Sequence, residues 1–197
     1  MKADMKAVIF DCDGVLADFS LGFTSLAREL FGNRVALRTS QTQARWDFTD
    51  IMPPMDVNSV WDAIEASDSF WQDLVPCVGG EIFFRISALS LVRPVYFVSA
   101  RSQGPNTKQQ TEAWLNRQGV ERPTVVISSS KGSVAAGVNA EFVIEDMPEF
   151  LWDIRGKLGD FRGFLLNRIY NMGKDIPACS VRVNSVDEFL TIVESST

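Results

Sequence analysis

Short runs of apolar residues recur along the chain, and most of them are followed by a segment in which apolar positions repeat at helical spacing. The runs consist mainly of adjacent Val, Ile and Phe rather than of alternating apolar and polar residues. Continuous runs are typical of parallel strands buried on both faces, and intervening helices are typical of their crossover connections. The pattern therefore predicts an α/β fold with a parallel sheet flanked by helices.

Six strands and five helices follow from this pattern. The predicted strands are Ala7–Asp11, Val95–Ser99, Thr124–Ser128, Phe142–Glu145, Gly163–Leu166 and Ser180–Val183. The predicted helices are Glu81–Leu91, Thr107–Gln118, Lys131–Gly137, Glu149–Leu158 and Val186–Glu194, with Gly119 as a helix C-cap.

The alternation stops between about Leu16 and Cys77, where no strand is predicted. Helical patterns at Ser20–Phe31 and Val57–Ala66 flank a polar, proline-containing segment there. We interpret residues 17–77 as a small helical cap inserted after the first strand. Residues 1–16 and 78–197 would then form the core domain.

Composition narrows the chemistry. The chain of 197 residues has a net charge of −6 and no histidine, so a histidine-based catalytic triad and histidine-ligated metals are excluded. The acidic balance argues against a broad nucleic-acid surface. No apolar run is long enough to cross a membrane, and three cysteines without metal-type spacing predict free thiols in the cytoplasm.

Two carboxylates directly follow the first strand. Asp11 and Asp13 are separated by Cys12 and followed by Gly14, which allows a sharp turn. One carboxylate can attack phosphorus while the other moves protons. The alternative is an ordinary polar loop, in which Asp and Gly are common.

Further polar residues follow the next two predicted strands. The Ser99 hydroxyl and the backbone N–H groups of Ala100 and Arg101 are candidates for binding phosphoryl oxygens. Arg101 is either a bidentate phosphate ligand or a solvated loop residue. Lys131, at a predicted helix start, is either a phosphate-binding cation or an exposed lysine.

Adjacent acids follow the fourth predicted strand. Glu145 and Asp146 would lie close to Asp11 and Asp13, because ligand-binding residues of a parallel sheet gather at the carboxyl ends of its strands. Such a cluster suits Mg²⁺, which prefers carboxylate oxygens. Helix capping by acids is the alternative.

In this order the residues resemble the haloacid dehalogenase-like phosphohydrolases, which have a Rossmann-like core. The resemblance implies Asp11 as nucleophile, Asp13 as general acid and base, and Ser99 and Lys131 as phosphate ligands. It further implies that Mg²⁺ is held by Asp11, the Asp13 carbonyl and Asp146. Glu145, which stands where many members have aspartate, is left between a ligand and a supporting role.

A narrower resemblance covers most of the chain. Asp11–Phe19, Ser69–Pro76 with Gly79, Asn167–Asn171 and Val181–Glu188 are similar to segments of the 5'(3')-deoxyribonucleotidases. That family removes phosphate from deoxynucleoside monophosphates beneath a helical cap. One departure is Ser99-Ala100-Arg101, where the family has Thr-Ser-Pro. From Ser99 to Gly119, the chain looks more like the phosphatase half of polynucleotide kinase-phosphatases.

The predicted cap is rich in aromatic residues that either form its core or stack on a nucleobase. The candidates for substrate contact are Phe19, Trp46, Phe48, Trp61 and Trp71.

The leading hypothesis is a Mg²⁺-dependent phosphatase of nucleoside monophosphates. Its expected partner is a small-molecule nucleotide, without a membrane or nucleic acid, and a homodimer is left open. A polynucleotide 3'-phosphatase, another small phosphomonoester phosphatase and a non-catalytic binding module are the alternatives.

Overall fold

The fold is a six-stranded parallel sheet, seen in a computed structural model that describes residues 6–102, 104 and 106–196. The strands lie in the order β3-β2-β1-β4-β5-β6, and each pair of neighbours is parallel. Every predicted strand is confirmed, with ends that shift by no more than two residues. The strands are β1 Ala7–Phe10, β2 Val95–Ser99, β3 Val125–Ile127, β4 Ala140–Glu145, β5 Arg162–Leu166 and β6 Ser180–Val183.

Helices cover both faces of this sheet. They are α1 Phe19–Phe31, α2 Pro54–Glu65, α3 Gly80–Ser90, α4 Thr107–Arg117, α5 Lys131–Gly137, α6 Pro148–Lys157 and α7 Val186–Glu194. All four residues of β1 are buried: Val8 and Phe10 pack in one apolar cluster with α3, α4 and α7, whereas Ile9 packs in a second cluster with α5 and α6. This two-sided burial is why the strand sequence is continuously apolar.

The strand order determines where a ligand can bind. From β1 the chain runs outward through β2 and β3 on one side, and later through β4, β5 and β6 on the other. The direction therefore reverses around β1, and crevices form at such a point beyond the carboxyl ends of the strands. The segments that follow β1, β2 and β4 meet there.

Residues 17–77, hereafter the inserted segment, contain α1 and α2 and no strand beyond isolated bridges of Ala17 to Asp13 and to Pro76. The expected helical character is confirmed. Helix α2 begins at Pro54 rather than at Val57, since proline fits the first turn of a helix. The division into a core and a cap remains a prediction.

Hydrogen bonds attach the C-terminal part of the inserted segment to Leu16 and to α4. The Cys77 N–H donates to the Leu16 carbonyl at 2.7 Å. Further along, the indole N–H of Trp114 on α4 donates to the Leu74 carbonyl at 2.7 Å, and the Trp71 N–H donates to Oε1 of Gln110 at 2.9 Å. These contacts hold residues 71–77 against α4 and fix Trp71 beside the sheet edge.

The cysteines and the lengths of the helices bear on two further features of the chain. Cys12, Cys77 and Cys179 are free cysteines, as predicted. Among the helices of the described residues, none has the length and apolar character that crossing a membrane requires.

Candidate active site

The polar residues predicted at the strand ends come together at one edge of the sheet. Asp11 and Asp13 follow β1, Ser99 ends β2, Lys131 begins α5, and Glu145 and Asp146 follow one another at the end of β4. All except Glu145 line one cavity of about 320 Å³, together with Ala100 and Arg101. The predicted convergence of the four strand ends is present.

Lys131 lies between two carboxylates, forming what we call the acid–lysine cluster of Asp11, Lys131 and Glu145. Its Nζ is 2.7 Å from Oδ1 of Asp11, and 2.8 and 3.0 Å from the two oxygens of Glu145. All three side chains are buried, so Lys131 is not an exposed lysine. Glu145 lies behind Lys131 and accepts hydrogen bonds from it with both oxygens.

Burial and charge oppose each other in this cluster. Burial raises the pKa of Asp11 and raises that of Glu145 well above the usual range, and the Lys131 ammonium offsets this only in part. Burial alone would lower the pKa of Lys131, but the charges of Asp11 and Glu145 outweigh it and the net shift is upward. The shift favours the charged form of Lys131.

Arg101 holds the second aspartate. Its Nε and Nη2 each donate to one oxygen of Asp13 at 2.8 Å, and its Nη1 donates to the Thr111 hydroxyl at 2.8 Å. The Ser99 hydroxyl donates to the same carboxylate at 3.1 Å, and the Trp71 ring covers the guanidinium at 4.6 Å. Arg101 is 4% exposed, which excludes the solvated-loop alternative. In this structure its contacts orient Asp13.

Asp146 has one engaged oxygen and one without a partner. Tyr170 donates a hydrogen bond from its hydroxyl to Oδ2, whereas Oδ1 is buried without a hydrogen-bond partner among the described residues. Burial, reinforced by the Asp11 charge, raises the pKa of Asp146 to about 8. An unpartnered buried carboxylate oxygen is costly unless something else binds it.

This arrangement fits a hard divalent cation. Asp11, Glu145 and Asp146 each offer an oxygen, and these atoms lie within 4.8 Å of one another. The site has four buried carboxyl groups, those of Asp11, Asp13, Glu145 and Asp146, but only two buried cations, Lys131 and Arg101. Carboxylate oxygens are the donors that Mg²⁺ prefers, and the unpartnered Oδ1 of Asp146 is the acceptor left for it.

Gly14 provides the space for this acid. Its φ is +74°, and a Cβ at this position would lie 2.0 Å from Oδ2 of Asp146 and 2.6 Å from the Tyr170 hydroxyl. No side chain fits so close to these two oxygens. The glycine that the sequence predicts for a sharp turn also lets Asp146 and Tyr170 meet.

Aromatic residues of the inserted segment form one side of the cavity. This aromatic wall consists of Phe19, Trp46, Trp61 and Trp71. Phe19 stacks with Trp61 at 5.4 Å and with Trp71 at 5.7 Å between ring centroids. Phe19 and Trp71 are buried, while Trp46 and Trp61 are half-buried.

Phe48 is the exception among the aromatic candidates for substrate contact. It lies outside the residues that line the cavity, is 1% exposed, and stacks on Phe23 with ring centroids 4.0 Å apart. Its position is in the apolar core of the inserted segment, where its contacts are structural.

A family model for the deoxy (pyrimidine), cytosolic type C 5' nucleotidases matches residues 5–192. The chain belongs to this family. The resemblance to haloacid dehalogenase-like phosphohydrolases and deoxyribonucleotidases is thereby confirmed, and the chain is a phosphoric monoester hydrolase of the 5'-nucleotidase type. Among curated proteins, none matches the chain.

Solved structures support the same fold. The nucleotidase is similar to a putative haloacid dehalogenase-like hydrolase from Burkholderia xenovorans LB400, at 13% identity, with 96% of each chain covered and a TM-score of 0.61. The chain is also similar to a putative β-phosphoglucomutase from Thermotoga maritima, at 15% identity and a TM-score of 0.60. The match covers 98% of this chain and 100% of the Thermotoga chain.

A third similar structure holds an anion. It is a hydrolase of the haloacid dehalogenase family from Deinococcus radiodurans R1, with bound phosphate and sodium. Its identity to this chain is 15% and the TM-score is 0.58, and the match covers 99% of this chain and 98% of the Deinococcus chain. At these identities the likeness establishes the fold, which is the haloacid dehalogenase-like core with Rossmann-type topology.

Residues outside the sequence prediction also line the candidate site. Met147, Glu149 and Phe150 line the cavity from the start of α6, and the Phe150 ring lies 4.4 Å from Lys131 Nζ. Tyr170 follows β5 at the same edge. The sequence feature that could have identified Met147, Glu149, Phe150 and Tyr170 is their position shortly after a buried strand, because ligands bind beyond the carboxyl ends of parallel strands.

Proposed function

We propose that this protein hydrolyses nucleoside monophosphates, preferably deoxyribonucleotides, in a Mg²⁺-dependent reaction through an aspartyl phosphate on Asp11. The observation that carries the proposal is a single cavity, bounded by Asp11, Asp13 and Lys131 on one side and by the aromatic wall on the other. Its volume of about 320 Å³ lies at the lower end of the range for small-molecule sites.

In the first half of the reaction, a carboxylate oxygen of Asp11 attacks phosphorus and the bond from phosphorus to the nucleoside oxygen breaks. Asp13, as a carboxylic acid, gives its proton to that leaving oxygen. The Ser99 hydroxyl and Lys131 are placed to bind the phosphoryl oxygens, whose charge is the main electrostatic demand of phosphoryl transfer. The products are the nucleoside and phosphorylated Asp11.

In the second half, Asp13 takes a proton from water as the water oxygen attacks phosphorus. The bond from phosphorus to Asp11 breaks, phosphate leaves, and both aspartates return to their starting states. The contacts from Arg101 and Ser99 support this step, because they hold the Asp13 carboxyl group in one orientation at the cavity.

Mg²⁺ bound by Asp11, Asp146 and the Asp13 carbonyl would neutralise phosphoryl and carboxylate charge. Glu145 is better placed as a support, because both of its oxygens accept hydrogen bonds from Lys131. The cytosolic type in the family description and the free thiols support a cytoplasmic location.

A panel of phosphate esters tests the substrate class. We expect dUMP or dTMP to release phosphate about 10-fold faster, as kcat/KM, than a 3'-phosphorylated oligonucleotide, because a net charge of −6 disfavours a polyanionic ester. The measurement is phosphate release with Mg²⁺, and samples with EDTA in place of Mg²⁺ should show none. Comparing dUMP with UMP then gives the preference for deoxyribose.

Faster hydrolysis of the oligonucleotide would instead support the second candidate, a polynucleotide 3'-phosphatase. The contacts of Arg101 with Asp13 and Thr111 favour it, because they lie in the segment that resembles polynucleotide kinase-phosphatases. The net charge of −6 opposes it. The non-catalytic alternative conflicts with membership of a hydrolase family.

The substitution Trp61→Leu tests the aromatic wall. We expect KM for dTMP to rise about 10-fold, because a half-buried ring that can stack on the base is lost. Hydrolysis of 2-deoxyribose 5-phosphate, which has no base, should be unchanged. Trp152→Leu is the matched control, since Trp152 is 50% exposed on α6 and does not line the cavity. Equal losses with both substrates would contradict base stacking at Trp61.

A further inference from the structure

Tyr170 lies where the inserted segment and the acidic cluster meet. It belongs to the 3₁₀ turn Ile169–Asn171 after β5 and is 7% exposed. We propose that Tyr170 is a positioning residue whose hydroxyl orients Asp146 for the cation. The contact between the Tyr170 ring and Trp46 would hold that hydroxyl in place, so the orientation of Asp146 depends on Trp46. The proposal rests on the cation assigned in the proposed function.

The orientation of Asp146 is the first step. A carboxylate that is free to rotate presents either oxygen to a ligand. Here the Tyr170 hydroxyl engages Oδ2, so Oδ1 is the oxygen left unpartnered. Partners that orient metal ligands from behind in this way typically change metal affinity 10- to 100-fold when they are removed.

The turn that carries Tyr170 is fixed on both sides. The Asn171 amide donates to the Asp146 carbonyl at 2.7 Å and to the Leu166 carbonyl at 2.8 Å. Arg182 of β6 donates to the Asn171 carbonyl at 2.9 Å, and Arg168 donates to the Gly14 carbonyl at 2.8 Å. These bonds join the turn to the strand ends that carry Asp146 and Asp11, so the tyrosine cannot move independently of the site.

Trp46 is the contact from the inserted segment. Its ring lies 5.8 Å from that of Tyr170, at 57° between the planes. Among the described residues, the Trp46 ring also contacts that of Phe19, at 5.9 Å between centroids, and both Trp46 and Phe19 line the cavity. The Trp46 indole therefore contacts Phe19 of the aromatic wall and also Tyr170, the residue that orients Asp146.

The test removes the hydroxyl and keeps the ring, in Tyr170→Phe. Mg²⁺ affinity is measured without substrate, by isothermal titration and by the Mg²⁺-dependent rise in Tm. We expect about 10-fold weaker Mg²⁺ binding, and phosphatase activity that recovers in part when Mg²⁺ is raised. Tyr96→Phe, at the only other tyrosine of the chain, lies on β2 away from the cavity and should bind Mg²⁺ as the wild type does.

A double-mutant cycle tests the link to Trp46. We expect Trp46→Leu to weaken Mg²⁺ binding in the wild-type background and to add little in the Tyr170→Phe background, because the hydroxyl that transmits the effect is already gone. Equal effects of Trp46→Leu in both backgrounds would overturn the link. Should Tyr170→Phe fail to fold, unchanged Mg²⁺ affinity in Trp46→Leu overturns the link and weakened affinity supports it.

The outcomes separate this inference from the proposed function. Wild-type Mg²⁺ affinity in Tyr170→Phe overturns the role of Tyr170 and leaves the phosphatase standing. Mg²⁺ binding by the wild type without phosphate release from any ester in the panel overturns the proposed function and leaves the role of Tyr170 standing. Absence of Mg²⁺ binding in the wild type overturns both.

Discussion

Replacing Asp11 with asparagine is expected to reduce Mg²⁺-dependent phosphate release at least about 10⁴-fold, the scale on which loss of a catalytic nucleophile acts in other enzymes. An amide cannot form the acyl phosphate, and no second carboxylate is in its place, since Asp13 is bound by Arg101 and Glu145 by Lys131. The measurement is phosphate release from dTMP under single-turnover and steady-state conditions.

The fold should survive this substitution. Burial raises the pKa of Asp11, so at neutral pH its ionised form costs folding free energy relative to the unfolded chain, and the neutral amide removes that cost. The ion pair of Asp11 with Lys131 is lost, but Lys131 keeps its pair with Glu145. We therefore expect a Tm in EDTA close to that of the wild type. Asp62→Asn, at an exposed position on α2, should retain full activity. Substantial turnover by Asp11→Asn would remove Asp11 as the nucleophile.

The strands and the order of the site residues were predictable because both follow from local patterns. A strand buried on both faces must be continuously apolar, as β1 and the run Phe142–Ile144 within β4 are. The polar residues that follow such strands then meet at one edge, whatever the intervening loops do. Asp11, Ser99 and Lys131 could therefore be assigned to one cavity from sequence alone.

Contacts that depend on side-chain packing were not predictable. Whether Arg101 faces phosphate, solvent or Asp13 depends on Thr111 and Trp71, which approach it from α4 and from the inserted segment. Phe48 and Trp46 occur in the same irregular segment, yet one packs on Phe23 and the other reaches the cavity. Composition and spacing carry no information on which ring turns inward.

Lys131→Met is expected to damage both stability and activity. Without the ammonium, the buried carboxylates of Asp11 and Glu145 face each other unpaired, and breaking a buried ion pair on one side costs roughly 3–5 kcal/mol. We expect Tm to fall by about 10 °C, and kcat/KM to fall about 10³-fold as a charged phosphate ligand is lost. Thermal unfolding and phosphate release measure the two effects. Lys108→Met, an exposed lysine on α4, is the matched control.

A second substitution separates the structural effect of Lys131 from its role in the reaction. In Lys131→Met with Glu145→Gln, the buried side chain at position 145 is a neutral amide, so part of the lost stability should return, because burial no longer opposes a charge there. Activity should stay low, since the cation beside Asp11 is still missing. Glu145→Gln alone should keep more activity than the double variant, because Lys131 still pairs with Asp11. Recovery of activity together with Tm in the double variant would limit Lys131 to a structural role and leave phosphate binding to Ser99 and the backbone that follows it.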